Sequence, residues 1–356
     1  MGYTRIWAKN KNIMELQPLL VLGLPSIFPA FETLNSHKYI FLKAFYSKLP
    51  LLQFLATKNV APSSIRVILC DPRQRLTSDM LALLPSVGFV FTTTAGTDHV
   101  DISECHRRGI QVVSIGSQAA DDVADMSIGL LIDVLYKISS SNRFVKKGIV
   151  ASKSCNFTLS PKLGGKRVGI VGLGRIGGEV AKRLEAFGCK VMYHSRSEKP
   201  FVSYPYCSNV VDLASNSDHL VVCCPLTKQT RHIINREVML ALGKNGVIVN
   251  VGRGPVINEK ELVRCLIQGE IGGAGLDVFE EEPKVPKELF ELENVVLSPH
   301  AGAHTKESCQ IKCELVAASL EAFFISQPPR IVPPLIEDMH FYPTFECTSS
   351  AEPAFA

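Results

Sequence analysis

Three side chains in the second half of the chain have the chemistry that hydride reduction of a carbonyl requires. His300, in Ser298-Pro299-His300-Ala301-Gly302, is an imidazole able to give up a proton near neutrality. Arg253, in Asn250-Val251-Gly252-Arg253-Gly254, is a permanent forked cation suited to a carboxylate or carbonyl oxygen. Glu282, just before Pro283 in the run Gly275-Leu276-Asp277-Val278-Phe279-Glu280-Glu281-Glu282-Pro283, is the carboxylate best placed to hold and tune the imidazole. A free imidazole titrates at about pH 6.5, and a carboxylate within hydrogen-bond reach favours its charged form. Taken singly, each residue has a plainer reading. A histidine after proline is usually a loop residue, and an arginine between glycines can pair with any surface acid. Their order behind a dinucleotide motif joins them into a proton donor, its partner and a substrate cation.

That motif is Gly172-Leu173-Gly174-Arg175-Ile176-Gly177, entered from the apolar run Val168-Gly169-Ile170-Val171 and followed by a helical pattern over Glu179–Phe187. Gly172 makes the tight turn, Gly174 lets a pyrophosphate approach the backbone, and Gly177 lets helix pack on strand. The start of the helix adds free N–H groups and a positive dipole end. The next strand, Lys190–His194, ends where an NAD site would place an acid on the ribose hydroxyls. This chain has Ser195-Arg196-Ser197 there, with Lys199 beyond and Glu198 as the nearest carboxylate. A guanidinium fork and two hydroxyls suit a 2′-phosphate, so the residues point to NADP, with NADPH preferred over NADH.

These groups need elements to position them. The 356 residues are too many for one ordinary core, so two domains are expected. Apolar residues at 46% and charged residues at 20% describe a soluble globular chain. The net charge of +4, without a block of like charges, argues against nucleic acid or an anionic membrane as main partner. Eleven scattered cysteines without C-x-x-C spacing read as free thiols in a reducing compartment, and no metal site is expected. Adjacent Cys223 and Cys224 read as packing rather than redox chemistry. No apolar run is long enough to span a bilayer, and no secretory, myristoylation or peroxisomal signal is recognisable, so the expected location is cytoplasmic.

Apolar strands are predicted at Leu19–Leu22, Ile65–Leu69, Phe89–Phe91 and Ile110–Val113. Others are predicted near Val168, Val191, Val221 and Val247, then at Gly275–Val278 and Val295–Leu297. Continuous apolar strands separated by amphipathic helices imply parallel sheets covered on both faces. The segment Asp122–Ile138 has apolar residues at helical spacing and would bridge the two units; 139–157 reads as either a loop or a helix pair. Two ends, 1–16 and 331–356, look like flexible extensions.

The stretches GLGRIGGEVAKRLEAFGC, HSRSEKP, VIVNVGRGPVINE, GEIGGAGLDVFEEEP and NVVLSPHAG together resemble the D-isomer-specific 2-hydroxyacid dehydrogenases, and among them the plant-type glyoxylate/hydroxypyruvate and hydroxyphenylpyruvate reductases. The resemblance covers roughly Gln17 to Ser326. It implies an α/β fold of two Rossmann-like domains, the NADP-binding domain (121–302) being inserted in a discontinuous flavodoxin-like substrate/catalytic domain (17–120 plus 303–330). It implies that Arg253 binds substrate, Glu282 supports the histidine and His300 protonates the nascent alkoxide. It assigns Gly172 to Gly177, Ser195 to Ser197, Cys224, Pro225, Val251 and Gly252 to the cofactor, and Asp277 to the nicotinamide carboxamide. It matches Thr92–Asp98 to the family's substrate loop, where N–H groups of Thr94, Ala95 and Gly96 would bind the substrate carboxylate. Thr94 stands for the more usual serine, and Tyr136 stands where relatives often carry arginine. A small 2-oxo acid substrate and a homodimer built through the cofactor domains are also implied. Two other readings share the motifs. An NAD-linked dehydrogenase would want an acid at position 195, and a corepressor of the C-terminal binding protein type would bind dinucleotide and peptide with weak turnover.

Overall fold

The computed structural model describes residues 16–23, 28–72, 74–116, 118–147 and 159–325. The two extensions expected to be flexible therefore lie almost wholly outside the described residues, as does most of 139–157.

Two parallel sheets organise the chain. The first contains β1 (Gln17–Val21), β2 (Tyr39–Lys43), β3 (Val67–Cys70), β4 (Phe89–Thr92) and β5 (Gln111–Ser114), in the order β2-β1-β3-β4-β5. That is the flavodoxin-like strand order. The second contains β6 (Arg167–Val171), β7 (Lys190–His194), β8 (His219–Val222), β9 (Val247–Asn250), β10 (Gly273–Leu276) and β11 (Val295–Leu297), in the order β11-β10-β9-β8-β6-β7. A single parallel bridge from Tyr193 to Tyr206 adds the remnant of a further strand outside β7. With it, the sheet has the doubly wound order of dinucleotide-binding folds, whose switch point lies between β6 and β8.

Every residue of β3, β4, β8, β9 and β10 is buried, as expected of strands covered on both faces. Helices α1 (Phe28–Asn35), α2 (Leu51–Thr57), α3 (Ser78–Ala82) and α4 (Ile102–Arg107) connect strands of the first sheet, and α8 (Val210–Ser215), α9 (Arg236–Leu242) and α10 (Glu259–Ile267) those of the second. Helix α5 (Ala120–Tyr136), followed by α6 (Ile138–Lys146), packs on the second sheet through Leu131, Val134 and Leu135, and helix α11 (Lys306–Phe324) returns to the first through Val316 and Leu320. These are the two crossings between lobes, and they are tied at their starts. Thr305, the N-cap of α11, donates to Asp122 Oδ2 at 2.8 Å, and Ser308 donates to the same carboxylate.

The structure corrects several expected boundaries. β2, at the edge of the first sheet, lies outside the expected strands. The expected bridging helix over Asp122–Ile138 runs instead from Ala120 to Tyr136, ending at Lys137 with φ of 54°. The helix after the glycine loop, α7 (Arg175–Ala186), starts at Arg175 rather than Glu179. The strand expected at Gly275–Val278 is β10, two residues earlier.

Candidate active site

At the end of β6, Gly172 has φ of +100°, and a Cβ there would lie 2.7 Å from the Cys224 backbone. At Gly177 a Cβ would lie 2.2 Å from Gly172 O. Both positions admit only glycine. Gly174 differs: a Cβ there would meet nothing within 4 Å, and as N-cap of α7 it supplies no side-chain cap. Open space in front of uncapped helical N–H groups fits a pyrophosphate. Cys224 and Pro225 follow β8, opposite this turn. Burial pushes the Cys224 thiol up to about 12, which makes it a packing residue at neutral pH.

At the end of β7 the turn is shaped by its own residues. Ser195 donates its hydroxyl to Ser197 O, Tyr206 donates to Ser195 O at 3.2 Å, and Tyr193 Oη accepts from Lys199 N at 2.7 Å. Arg196 and Ser197 are exposed, and no carboxylate occupies 195–197. This turn lies at the end of β7, whereas the chemistry-bearing groups follow β4, β9, β10 and β11.

The turn after β9 carries Arg253. Buried Asn250 holds it, accepting from Gly252 N at 3.0 Å and donating to Arg253 O at 3.0 Å. Val251 N donates to Val222 O at 3.2 Å, and a Cβ on Gly252 would lie 2.8 Å from Cys224 O. A Cβ on Gly254 would fall 1.9 Å from the Phe279 carbonyl. The arginine turn is thus pressed directly against the peptide that leads to Glu282.

Glu282 accepts from Phe279 N at 3.1 Å and from His300 Nδ1 at 2.9 Å (Oε2) and 3.2 Å (Oε1). A carboxylate can only accept here, so Nδ1 carries the proton and Nε2 is left for acid–base chemistry. Burial would raise the Glu282 carboxyl. The hydrogen bond and charge of His300, the Phe279 N–H and the Arg253 guanidinium together hold it below its usual value. His300 has φ of 55°, a left-handed conformation that disfavours a non-glycine residue. Asp277 maintains it: its backbone oxygen accepts from His300 N at 2.8 Å, and its carboxylate accepts from Ala301 N at 2.8 Å and Gly302 N at 2.9 Å. The carboxylate expected to face a carboxamide is therefore also the clamp of the histidine turn, a use its sequence position did not signal.

From the other lobe, the loop after β4, which carries Thr94 and Ala95, brings Gly96 and Asp98 against Arg253. A Cβ on Gly96 would lie 2.0 Å from Arg253 Nη2. Arg253 Nε donates to Asp98 Oδ1 at 3.1 Å, and Nη1 donates to Gly252 O at 2.8 Å. Burial would raise the Asp98 carboxyl, but the guanidinium holds it below its usual value. Asp98 ends the expected substrate loop, but no local pattern marks its pairing with Arg253, since the two lie 155 residues apart. The structure thus brings Arg253, Glu282, His300 and the 94–96 segment together between the sheets.

The chain is similar to known proteins in sequence and in fold. Residues 128–302 match the family model described as D-isomer specific 2-hydroxyacid dehydrogenase, NAD binding domain. The chain is 52% identical to glyoxylate/hydroxypyruvate reductase HPR3 of Arabidopsis thaliana over 266 residues, 75% of this chain and 82% of that protein. It is 49% identical to hydroxyphenylpyruvate reductase of Plectranthus scutellarioides over 265 residues, 74% of this chain and 84% of that protein. The crystal structure of the NADPH-dependent glyoxylate/hydroxypyruvate reductase of Sinorhizobium meliloti, in complex with NADP and malonate, superposes with a TM-score of 0.80 at 32% identity, covering 89% of this chain and 96% of that one. The chain belongs to the D-isomer-specific 2-hydroxyacid dehydrogenase family and is an oxidoreductase with an NAD(P)-binding Rossmann domain.

Proposed function

We propose that the protein reduces small 2-oxo acids to 2-hydroxy acids with NADPH, with glyoxylate and hydroxypyruvate as first candidates and hydroxyphenylpyruvate as a bulkier one. The observation that carries this reading is the His300–Glu282 pair, 2.9 Å apart, across from an arginine that touches the 94–96 loop. Two relatives named for these reductions, from Arabidopsis thaliana and Plectranthus scutellarioides, support the substrate class. In this reading residues 121–302 hold the cofactor, through Gly172–Gly177, Cys224, Pro225, Val251, Gly252 and Asp277. Residues 17–120 plus 303–330 hold the substrate.

When bound, the nicotinamide supplies the hydride. Arg253 and the N–H groups of Thr94, Ala95 and Gly96 hold the substrate carboxylate. His300 releases the Nε2 proton to the carbonyl oxygen as it gains negative charge. Glu282 keeps Nδ1 protonated and compensates the imidazolium charge. The turn Ser195-Arg196-Ser197 selects NADPH by pairing a 2′-phosphate with a guanidinium and hydroxyls.

Steady-state rates on the three acids, each with NADPH and NADH, test the reading. Preference for NADPH is expected, and Arg196→Ala should raise KM for NADPH while scarcely touching use of NADH. A clear NADH preference in the wild type, or equal losses with both cofactors, would defeat the cofactor assignment. Absence of turnover on every acid would defeat the activity. We further propose a homodimer, since Tyr136, Ile138 and Val145 are exposed around the end of α5 and on helix α6 (Ile138–Lys146) beside the cofactor lobe. Light scattering on purified protein decides this. No helix among the described residues is long and apolar enough to cross a membrane, and the nine described cysteines are free thiols. We therefore place the protein in a reducing compartment, the cytoplasm.

A further inference from the structure

Buried beside the site is a histidine that the mechanism does not use. His99 is 5% exposed, follows Asp98 directly, and its Nε2 lies 2.8 Å from Thr92 Oγ1. Thr92 Oγ1 lies 3.1 Å from Thr94 Oγ1, and Thr94 Oγ1 lies 2.8 Å from Gly96 O. The hydrogens along this chain have one consistent assignment. Gly96 O can only accept, so Thr94 donates to it. Thr94 can then only accept from Thr92, and Thr92 can only accept from His99. Nε2 therefore carries the hydrogen, and Nδ1, buried without a partner, carries a lone pair. In the other tautomer Thr92 would spend its hydrogen on Nε2. Two hydroxyl oxygens would then face each other 3.1 Å apart without a hydrogen between them, and a buried N–H would be unpaired. Cys70 Sγ, 3.9 Å from Nε2, adds at most a weak contact.

We infer that His99 is a positioning residue for substrate: its Nε2–H, relayed through the hydroxyls of Thr92 and Thr94, locks the Gly96 carbonyl inside the loop that faces Arg253. This rests on the reading of 94–96 as the carboxylate-binding segment. With its lone pair engaged by Thr94, Gly96 O is not offered to an incoming carboxylate, which it would repel. The relay also fixes the peptide planes on either side, whose N–H groups are the donors. Burial above all, helped by Arg253 and Arg75 and opposed by Asp98, holds the His99 pKa down to about 4, so the relay stays neutral through the physiological range. Thr94 gains a role from this geometry: its hydroxyl is the middle link, which serine also supplies and valine does not.

Glutamine places an amide nitrogen where imidazole has Nε2, and asparagine places one where it has Nδ1. The test compares His99→Gln, His99→Asn, Thr94→Ser and Thr94→Val. Its readouts are KM and kcat for glyoxylate, NADPH affinity from nucleotide fluorescence, and melting temperature. His99→Asn and Thr94→Val should each raise KM by about tenfold, the scale of one hydrogen bond, with kcat and NADPH affinity kept. His99→Gln should recover most of the KM lost in His99→Asn, Thr94→Ser should recover most of that lost in Thr94→Val, and the double variant His99→Asn/Thr94→Val should be no worse than either single change. Equal KM for the Gln and Asn variants would mean that the side chain only fills space, and would overturn the relay. Nitrogen NMR of histidine-labelled protein is an arm independent of activity. The resonance lost in His99→Gln should show protonated Nε2, and a protonated Nδ1 refutes the inference even if 2-oxo acids are reduced. If no 2-oxo acid is reduced yet Nε2 is protonated, the functional reading fails and the relay stands.

Discussion

Replacing Gly96 by alanine asks whether the arginine must sit where the structure puts it. The added Cβ would lie 2.0 Å from Arg253 Nη2, 2.7 Å from Asp98 Oδ1 and 3.0 Å from Arg253 Cζ. Non-bonded heavy atoms settle at about 3.5 Å, so the guanidinium must retreat by roughly 1.5 Å. The obstructing atoms are the far ends of side chains, and the Gly96 backbone lies outside the left-handed region, so the fold itself can absorb the methyl. The Arg253–Asp98 pair is only 21% and 34% exposed at its side chains, yet it opens to the cleft, and loosening it costs at most about 1 kcal/mol. At about 2–4 °C per kcal/mol, the melting temperature should fall by no more than a few degrees. Catalysis should respond differently, because a displacement of about 1 Å in a positioning group can cost about 100-fold. Gly96→Ala should therefore lower kcat/KM for glyoxylate by about 100-fold, or about 2.7 kcal/mol of transition-state binding, with NADPH affinity unchanged. Steady-state kinetics beside a fluorescence titration and a thermal melt measure all three. A kcat/KM within about threefold of wild type would mean that Arg253 does not act from this position.

The cofactor turn predicts a contrast: Gly174→Ala, whose Cβ meets nothing in the protein, should weaken NADPH binding without lowering the melting temperature, whereas Gly177→Ala, 2.2 Å from Gly172 O, should lower stability itself. Glu282→Gln should reduce kcat by about 100-fold, the lower end of general acid catalysis. Because the Glu282 carboxyl is depressed, its stabilising contribution is present above the unfolded carboxylate value of about 4.3 and is lost as pH falls through the lower folded value; the variant should lack that acid-side slope in its melts. His219, in β8, is 2% exposed with both ring nitrogens unpartnered, and burial above all holds its pKa down to about 4. An unfolded histidine takes its proton at about pH 6.5, so the neutral fold loses stability as pH falls from there to about 4. His219→Leu should remove that slope and raise the melting temperature by about 2–12 °C, from about 1–3 kcal/mol of unsatisfied polar burial; an unchanged melt would show that the imidazole is satisfied in solution.

Much of the second sheet was legible because its signals are local: an apolar run, three glycines, a helix. The misplaced boundaries share a cause, which is packing that only the assembled fold reveals. The expected Gly275–Val278 strand falls two residues late, since glycines at Gly272, Gly273 and Gly275 weaken any local strand pattern. Gly273 and Gly275 are strand residues on which α5 presses; a Cβ on Gly273 would lie 2.7 Å from Val134 Cγ1, and one on Gly275 would lie 3.0 Å from Leu130 Cβ. Gly177 and Gly178 likewise hid the first turn of α7, where contact with the Gly172 carbonyl outweighs poor helix propensity. β2 has an exposed Ile40 and is defined by its register with β1, a pairing no local pattern encodes. The arginine, glutamate and histidine stood out because their short motifs follow strands. Asp98 and His99 did not, since one acts on a residue far along the chain and the other through hydroxyls that look like ordinary strand-end threonines.

The site divides its labour between the lobes. On the cofactor side the parts are joined through main chain: Gly254 abuts the Phe279 carbonyl, Gly252 abuts Cys224 O, and Asp277 holds three successive N–H groups of the His300 turn. Contacts of that kind leave little freedom, and a proton donor gains from being fixed before substrate arrives. On the substrate side, the 94–98 loop meets this block through the Arg253–Asp98 hydrogen bond and is shaped from behind by His99, Thr92 and Thr94. Substitutions on that loop can therefore alter which acid is held while the donor pair keeps its 2.9 Å contact, so changes there should appear in KM before they appear in kcat.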